Sequence, residues 1–238
     1  MNDPFGDAIL DYFANGNAPD LAINSNYTEN ENIPVSYFFR SENEMPAIER
    51  TALTKCSGEI LDVGAAAGCH SILLQEKGLD VTALEKSAKA CEVLKKRGIN
   101  NVVCSDIFEF SDGQFDTVLL LMNGAGIGGT LTGLEKLLVH IKKLISKTGQ
   151  ILIDSTDIQY LFEEEDGSTW VDLANDAYYG EMEYVVAYKK SVTKFNWLFV
   201  DFQELKKVAQ KCGLKCRMIE KGPDNDFLAQ LKIKTVTN

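Results

Sequence analysis

The chain has 238 residues, 45% of them hydrophobic and 25% charged, which suits one large α/β domain with a small accessory part and an ample core. Against 35 acidic residues stand 24 basic ones, a formal net charge of −11. So acidic a surface argues against nucleic acid or an anionic membrane as main partner, because phosphate binding needs a basic patch. The cysteines at 56, 69, 91, 104, 212 and 216 form no C-x-x-C pair, which reads as free thiols in a reducing compartment, not a disulfide framework or a zinc site. Met1 is not followed by a basic segment and an apolar run, and no apolar run approaches membrane-spanning length. Neither a signal peptide nor a membrane span is expected, and a cytoplasmic protein is.

In chain order, Asp3-Pro4 reads as an N-cap with proline at the first helical position. Phe5, Ala8, Ile9, Tyr12 and Phe13 recur at i, i+3, i+4, i+7 and i+8, the stripe of an amphipathic helix that Gly16 ends. Residues 17–36 are rich in Asn and carry two prolines, which predicts a long, irregular polar loop. Tyr37-Phe38-Phe39-Arg40 breaks that polarity, and a second helix is predicted over about 44–55.

From Glu59 onward strands and helices alternate. Strands are predicted at 59–63, 80–84, 101–104, 115–121 and 149–154, and helices at about 69–77, 87–97 and 131–146. This spacing implies parallel strands joined by right-handed crossovers. The helix at 131–146 is expected to bury Leu134, Leu137, Leu138, Ile141, Leu144 and Ile145 and to turn Lys136, His140 and Lys143 outward. Cys91 and Cys104 read as small buried hydrophobes. Residues 155–177 are acidic and irregular. Met182, Tyr184, Val186 and Tyr188 then alternate, as do Phe195, Trp197 and Phe199, with Lys189 to Lys194 joining the runs. This is a hairpin with one apolar, aromatic face. A helix at about 201–212 ends near Gly213, and strands at about 214–220 and 227–235 follow.

The most informative stretch is Glu59 to His70. It reads as a buried strand, a turn of small residues (Gly64-Ala65-Ala66-Ala67-Gly68) and a helix start. A ligand can lie almost against such a backbone, facing unpaired N–H groups and the positive end of a helix dipole. A nucleotide-type cofactor at the carboxyl end of a first parallel strand uses this architecture. A dinucleotide site needs G-x-G-x-x-G, whereas here Cys69 stands in the third-glycine position.

With Asp62-Val63 before it, the turn resembles the first motif of class I S-adenosylmethionine-dependent methyltransferases: an acidic residue, an apolar one, then G-x-G-x-G. Ala66 replaces the middle glycine. Glu85 closes the next strand, 85 − 68 = 17 residues beyond Gly68, where a carboxylate accepts hydrogen bonds from both ribose hydroxyls. That feature suits NAD as well, and Lys86 beside it is counted with the cofactor contacts. The resemblance implies that Asp106 meets the adenine amino group and that Ile107 touches the ring. Phe115-Asp116-Thr117-Val118 is also similar to the family, and the likeness covers roughly residues 56–154. Simpler roles stand beside these: Glu85 as a solvated strand end, Asp106 as a helix cap, Asp62 as an organiser of the turn.

Open α/β sheets bind ligands beyond the carboxyl ends of their strands. Met122 and Asn123 end the fourth alternating strand, and the glycine-rich run from Gly124 through Ile127 to Gly129 follows. That run is expected near the methionine half of the cofactor, with Asp154 on the same rim. The 37–40 segment is expected to fold over the site, with Arg40 pairing with the methionine carboxylate. Tyr37, Gly124, Ile127, Asp154 and Trp197 are the candidate acceptor contacts. The hairpin, with Tyr160, Trp170, Tyr178 and Tyr179, either roofs the acceptor or forms a dimer contact. Cys69 and His70 read as packing residues of the helix start. No catalytic triad and no metal is expected, because the sulfonium is already an activated methyl donor.

The expected fold is α/β: a doubly wound, Rossmann-like, mostly parallel sheet of the seven-stranded methyltransferase type, its last strand antiparallel. Residues 1–55 form an N-terminal helical cap and lid segment, and residues 56–238 the methyltransferase domain with a hairpin insertion at about 178–200. The expected function is methyl transfer from S-adenosyl-L-methionine, leaving S-adenosyl-L-homocysteine, to a small-molecule acceptor, by a monomer or homodimer with no nucleic-acid or membrane partner. The alternatives are an NAD-dependent oxidoreductase and a non-catalytic cofactor-binding protein on the same fold.

Overall fold

The computed structural model describes residues 2–162 and 177–234; Trp170 lies outside them. Helix α1 (Pro4–Asn15) begins where the sequence places it. The Asp3 carboxylate accepts from the Gly6 amide, and Gly16 closes the helix at φ 72°. The 17–36 segment departs from expectation: it carries β1 (Leu21–Ser25) and β2 (Glu31–Ile33), paired antiparallel with Leu21 opposite Ile33. These strands are short and polar on one side, so the local pattern resembles a loop. Leu21 and Ile23 are buried in the core, and Ile33 packs against it. Two 3₁₀ turns, Val35–Phe39 and Glu42–Glu44, lead into α2 (Ala47–Lys55), which starts later than predicted.

The alternating series follows as β3 (Glu59–Val63), α3 (Cys69–Glu76), β4 (Asp80–Glu85), α4 (Ala88–Lys96), β5 (Asn101–Cys104), β6 (Phe115–Leu120), α5 (Leu131–Leu144) and β7 (Ile145–Thr156). Strand β7 takes over directly from α5 and is longer than predicted. After β8 (Glu181–Tyr188) and β9 (Ser191–Leu198) come α6 (Phe202–Lys211), β10 (Leu214–Lys221) and β11 (Asp226–Ile233). The main sheet has seven strands in the order β10-β11-β7-β6-β3-β4-β5. Its centre is parallel, and β11 runs antiparallel to both neighbours. This is the expected doubly wound, Rossmann-like sheet with its last strand reversed.

Alternation along the central strands sends side chains to two cores, as a pleated strand requires. Leu61, Val118, Leu120, Ile151 and Ile153 pack under Leu134, Leu137 and Leu138 of α5 and Leu205 of α6. Ile60, Leu119 and Leu152 pack on the other face with Leu53 of α2 and Leu74 of α3. Both faces being covered, these strands read as near-continuous apolar runs. His140 is half-buried and not turned fully outward as expected, because its Nε2 hydrogen-bonds the Phe110 carbonyl at 2.8 Å. Cys91 is buried as expected, but Cys104, on the edge strand β5, is exposed.

The hairpin is not an isolated insertion. It belongs to a four-stranded antiparallel sheet of order β2-β1-β8-β9, in which Ala22 pairs with Ala187. Its turn is only Lys189-Lys190, with Tyr188 opposite Ser191 and Lys189 at φ 52°. Residues Ser191 to Lys194, read from sequence as connection, are therefore in β9. Ala8 and Ile9 of α1 pack with Leu21, Ile23, Phe38, Val186 and Tyr188 in a core of their own. The Tyr188 hydroxyl donates to Asp11 at 2.8 Å. The start of the chain and the hairpin thus cohere through shared burial. No helix among the described residues is long and apolar enough to cross a membrane.

Candidate active site

The turn after β3 is drawn toward β4. The amides of Gly64 and Ala65 both donate to the Leu84 carbonyl, at 2.8 and 3.2 Å. Gly64 is exposed at φ 75°, and a Cβ built on it would meet nothing nearer than Ile127 Cδ1 at 3.7 Å. Its open side therefore faces the space between the two glycine-rich turns. Ala66 stands at φ 50°, a left-handed conformation that costs an L-residue roughly 1–2 kcal/mol. This conformation is what glycine supplies for free at the middle motif position. The Ala66 amide donates to Glu85 Oε2 at 2.9 Å. Gly68, at φ 83°, serves packing: a Cβ there would lie 2.7 Å from Leu94 Cδ2 of α4.

Glu85 is buried, and its Oε1 accepts from the Ser87 amide at 2.8 Å. Burial pushes its carboxyl up, and the Ser87 and Ala66 amides oppose this without cancelling it. Each oxygen keeps further acceptor capacity. Asp62 is buried and accepts from the Ser71 hydroxyl at 2.6 Å, so it ties β3 to the first turn of α3. Lys86 is exposed. At the end of β5, Asp106 is half-exposed and its Oδ1 accepts from the Phe108 amide at 3.0 Å; Ile107 is buried in the sheet core.

The second turn follows β6 with Met122 at φ 64° and Asn123 at φ 58°. Consecutive left-handed residues persist only where surroundings over-determine them. Here Asp154, at the end of β7, accepts from the Met122 amide at 3.1 Å and the Gly124 amide at 2.9 Å. Asn123 donates to the Leu198 carbonyl at 3.1 Å and accepts from the Ser155 hydroxyl at 3.0 Å. The Trp197 indole lies directly on Gly126, where a Cβ would fall 2.1 Å from Cε2. The 3₁₀ turn Gly124–Gly128 is thus clamped between the main sheet and β9. Asp154, expected at the acceptor, has both carboxylate oxygens on backbone amides and is buried.

Burial raises the Asp154 carboxyl to about 7, against the pull of the Gly124 and Asn123 amides. Its unfolded value is about 3.9, so the folded state binds the extra proton and stability falls as pH rises from about 4 through about 7. Between about pH 5 and about pH 8 the parent protein should therefore lose a few kcal/mol that Asp154→Asn does not. Paired calorimetric melts measure this; parallel curves for the two proteins would reject it.

A third group of side chains meets beside these turns. The Arg40 guanidinium lies 3.6 Å over the partly exposed Tyr37 ring, and its Nη1 donates to the Tyr37 carbonyl at 2.8 Å. Its Nη2 pairs with the Glu49 carboxylate, which also bonds His70 Nε2 at 2.6 Å. Arg40, Glu49 and His70 are 6%, 2% and 5% exposed, so all three are shielded from water. Burial alone would raise the Glu49 carboxyl, but the His70 and Arg40 bonds and charges hold it below its ordinary value. Burial lowers His70, and Cys69, the Glu49 bond and Asp62 overcome this, holding the imidazole well above its ordinary value. Burial raises the Tyr37 phenol; the Arg40 charge opposes it, while those of Glu49 and Asp154 add to it. Arg40 Nε is the only buried side-chain nitrogen or oxygen without a hydrogen-bond partner among the described residues, a state that costs on the order of 1–3 kcal/mol.

Glu49 escaped the sequence reading. The available signal was a carboxylate set among Ile48, Ala52 and Leu53 on the buried face of α2. His70, read as a packing residue, is indeed buried at the helix start but carries an ion pair there.

A family model described as a methyltransferase domain matches residues 61–153. The chain is similar to the crystal structure of an S-adenosylmethionine-dependent methyltransferase from Bacteroides fragilis in complex with S-adenosyl-L-homocysteine. The two are 40% identical, with 98% of this chain and 96% of that one covered and a TM-score of 0.92. Only the fold is shared with the CcbJ methyltransferase from Streptomyces caelestis, at 14% identity, 79% and 94% coverage and a TM-score of 0.59. The same holds for the sugar N-methyltransferase KedS8 from a Streptoalloteichus species, at 15% identity, 89% and 97% coverage and a TM-score of 0.56. No curated protein matches the chain by sequence. The strand order, the turn after β3 and the likeness over nearly the whole of the Bacteroides fragilis enzyme lead to one assignment: the chain belongs to the class I S-adenosylmethionine-dependent methyltransferases, with S-adenosylmethionine as its methyl donor.

Proposed function

We propose that the enzyme methylates a small molecule. The observation that carries this reading is the covered rim: β9 is seated on the Gly124–Gly128 turn through Trp197 and Leu198, and Phe38 and Phe39 of the 37–40 segment share a core with Ala66 and Met122 of the two turns. A covered rim suits a small acceptor better than a duplex or a folded protein, and a net charge of −11 repels nucleic acid.

The residues fit the donor. The open side of Gly64 leaves room for a ligand against the backbone, and Glu85 retains lone pairs for ribose hydroxyls. Asp106 and Ile107 stand at the adenine end, and Met122, Asn123 and Arg40 at the methionine end. Ala65, Ala66 and Gly68 shape the turn, Asp62 braces it, and Lys86 flanks Glu85. When bound, the donor supplies an activated sulfonium methyl. The work left to the chain is to align the acceptor and keep out water, for which Tyr37, Gly124 and Ile127 are the first-choice contacts. Trp197 and Asp154 hold the wall they belong to. Residues 1–55 and the β8–β9 hairpin act together as the cover, and the free thiols fit a cytoplasmic monomer or homodimer.

Incubation with methyl-labelled donor and a cell extract, followed by separation by size, tests the acceptor class. Label is expected in the low-molecular-mass fraction; label confined to protein or nucleic acid would overturn the proposal.

A further inference from the structure

We infer that Glu49 and His70 are positioning residues for the methionine end of the donor, holding the Arg40 guanidinium so that its Nε–H is left for the donor's carboxylate. The inference rests on the cofactor site proposed above.

The three side chains come from separate elements. Arg40 follows the 3₁₀ turn Val35–Phe39, Glu49 is in the first turn of α2, and His70 is in the first turn of α3, two residues past Gly68. Almost every freedom of the guanidinium is used up. Its plane rests on the Tyr37 ring, Nη1 is on the Tyr37 carbonyl and Nη2 on Glu49. Besides the second Nη1 hydrogen, what remains is the buried Nε–H, whose nitrogen has no acceptor in the protein. Glu49 in turn is shared by two basic groups, and none of its oxygens bonds the Arg40 Nε. A buried donor without an acceptor is costly, and a ligand carboxylate supplies the missing acceptor.

The cluster also stands in the right place. His70 adjoins the turn after β3, and Phe38 and Phe39, next to Arg40 in the chain, share a core with Ala66 and Met122 of the two turns. The methionine end of a donor lying along Gly64 falls between these two turns. A plain structural role, stapling the 35–44 segment to α2, would affect every ligand alike. A positioning role affects only ligands that carry the amino-acid group.

The test is calorimetric titration of the full chain with S-adenosylhomocysteine and with 5′-methylthioadenosine, which keeps the adenosyl thioether and lacks the amino-acid group. Glu49→Gln is expected to weaken S-adenosylhomocysteine binding about tenfold or more, the scale of a lost charge-assisted contact. Methylthioadenosine binding should stay within about twofold. His70→Gln, which keeps a donor near the Nε2 position without the charge, should move the ratio of the two affinities the same way and decides the matter if Glu49→Gln does not fold. Parallel losses for both ligands, or an unmoved ratio in a folded variant, would overturn the inference alone. Failure of the parent protein to bind S-adenosylhomocysteine would overturn the cofactor site itself.

Discussion

Glu85→Ala is expected to weaken S-adenosylhomocysteine binding by about a hundredfold or more, because it removes the acceptor of two charge-assisted hydrogen bonds worth roughly 1.5–3 kcal/mol each. The carboxylate is already oriented before any ligand arrives. The Ser87 amide holds one oxygen and the Ala66 amide the other, so little ordering remains to oppose binding. Glu85→Gln keeps the shape and one acceptor and should fall between parent and alanine variant. Titration with S-adenosylhomocysteine, with NAD run alongside, reads the outcome. An alanine variant that binds as tightly as the parent would remove Glu85 from the site.

Gly64→Val should abolish measurable S-adenosylhomocysteine binding while leaving a folded protein. The substitution places a β-branched residue at φ 75°, which costs roughly 1–2 kcal/mol and a few degrees of melting temperature. Its Cβ meets no wall of the protein closer than 3.7 Å, so its bulk occupies the space assigned to the donor. Gly68→Ala is the informative contrast. Its Cβ presses on Leu94 at 2.7 Å, so stability falls first, with binding by the folded fraction largely kept. Melts and titrations on both variants separate the two glycines. Undiminished affinity in Gly64→Val would show that the donor does not lie along this turn.

The proposed cover of the site is the part least visible in the sequence. Residues 17–36 look like a polar loop because β1 and β2 are only five and three residues long, too short for a strand pattern to stand out, and the outer edge of β1 is satisfied only when β8, more than 150 residues later, lies beside it. The Lys189-Lys190 turn lacks the Asn-Gly or Asp-Gly signal of a tight hairpin, so the connection looks longer than it is. That Asp154 ends a strand on the rim is visible in the sequence; its hold on the amides of a turn that follows a neighbouring strand is not.

The parallel sheet, the turn after β3 and the place of Glu85 are legible in the order of residues. These rest on signals within a few residues of one another: apolar runs bounded by turns, small residues in a row, and a carboxylate at the end of the next strand. Three features emerge only on folding: the joining of the N-terminal strands to the hairpin, the seating of Trp197 on Gly126, and the meeting of Arg40, Glu49 and His70. The reason is physical. Strand pairing, burial and ion pairing are satisfied by whichever groups the fold brings together, and their partners stand at sequence distances that no local period encodes.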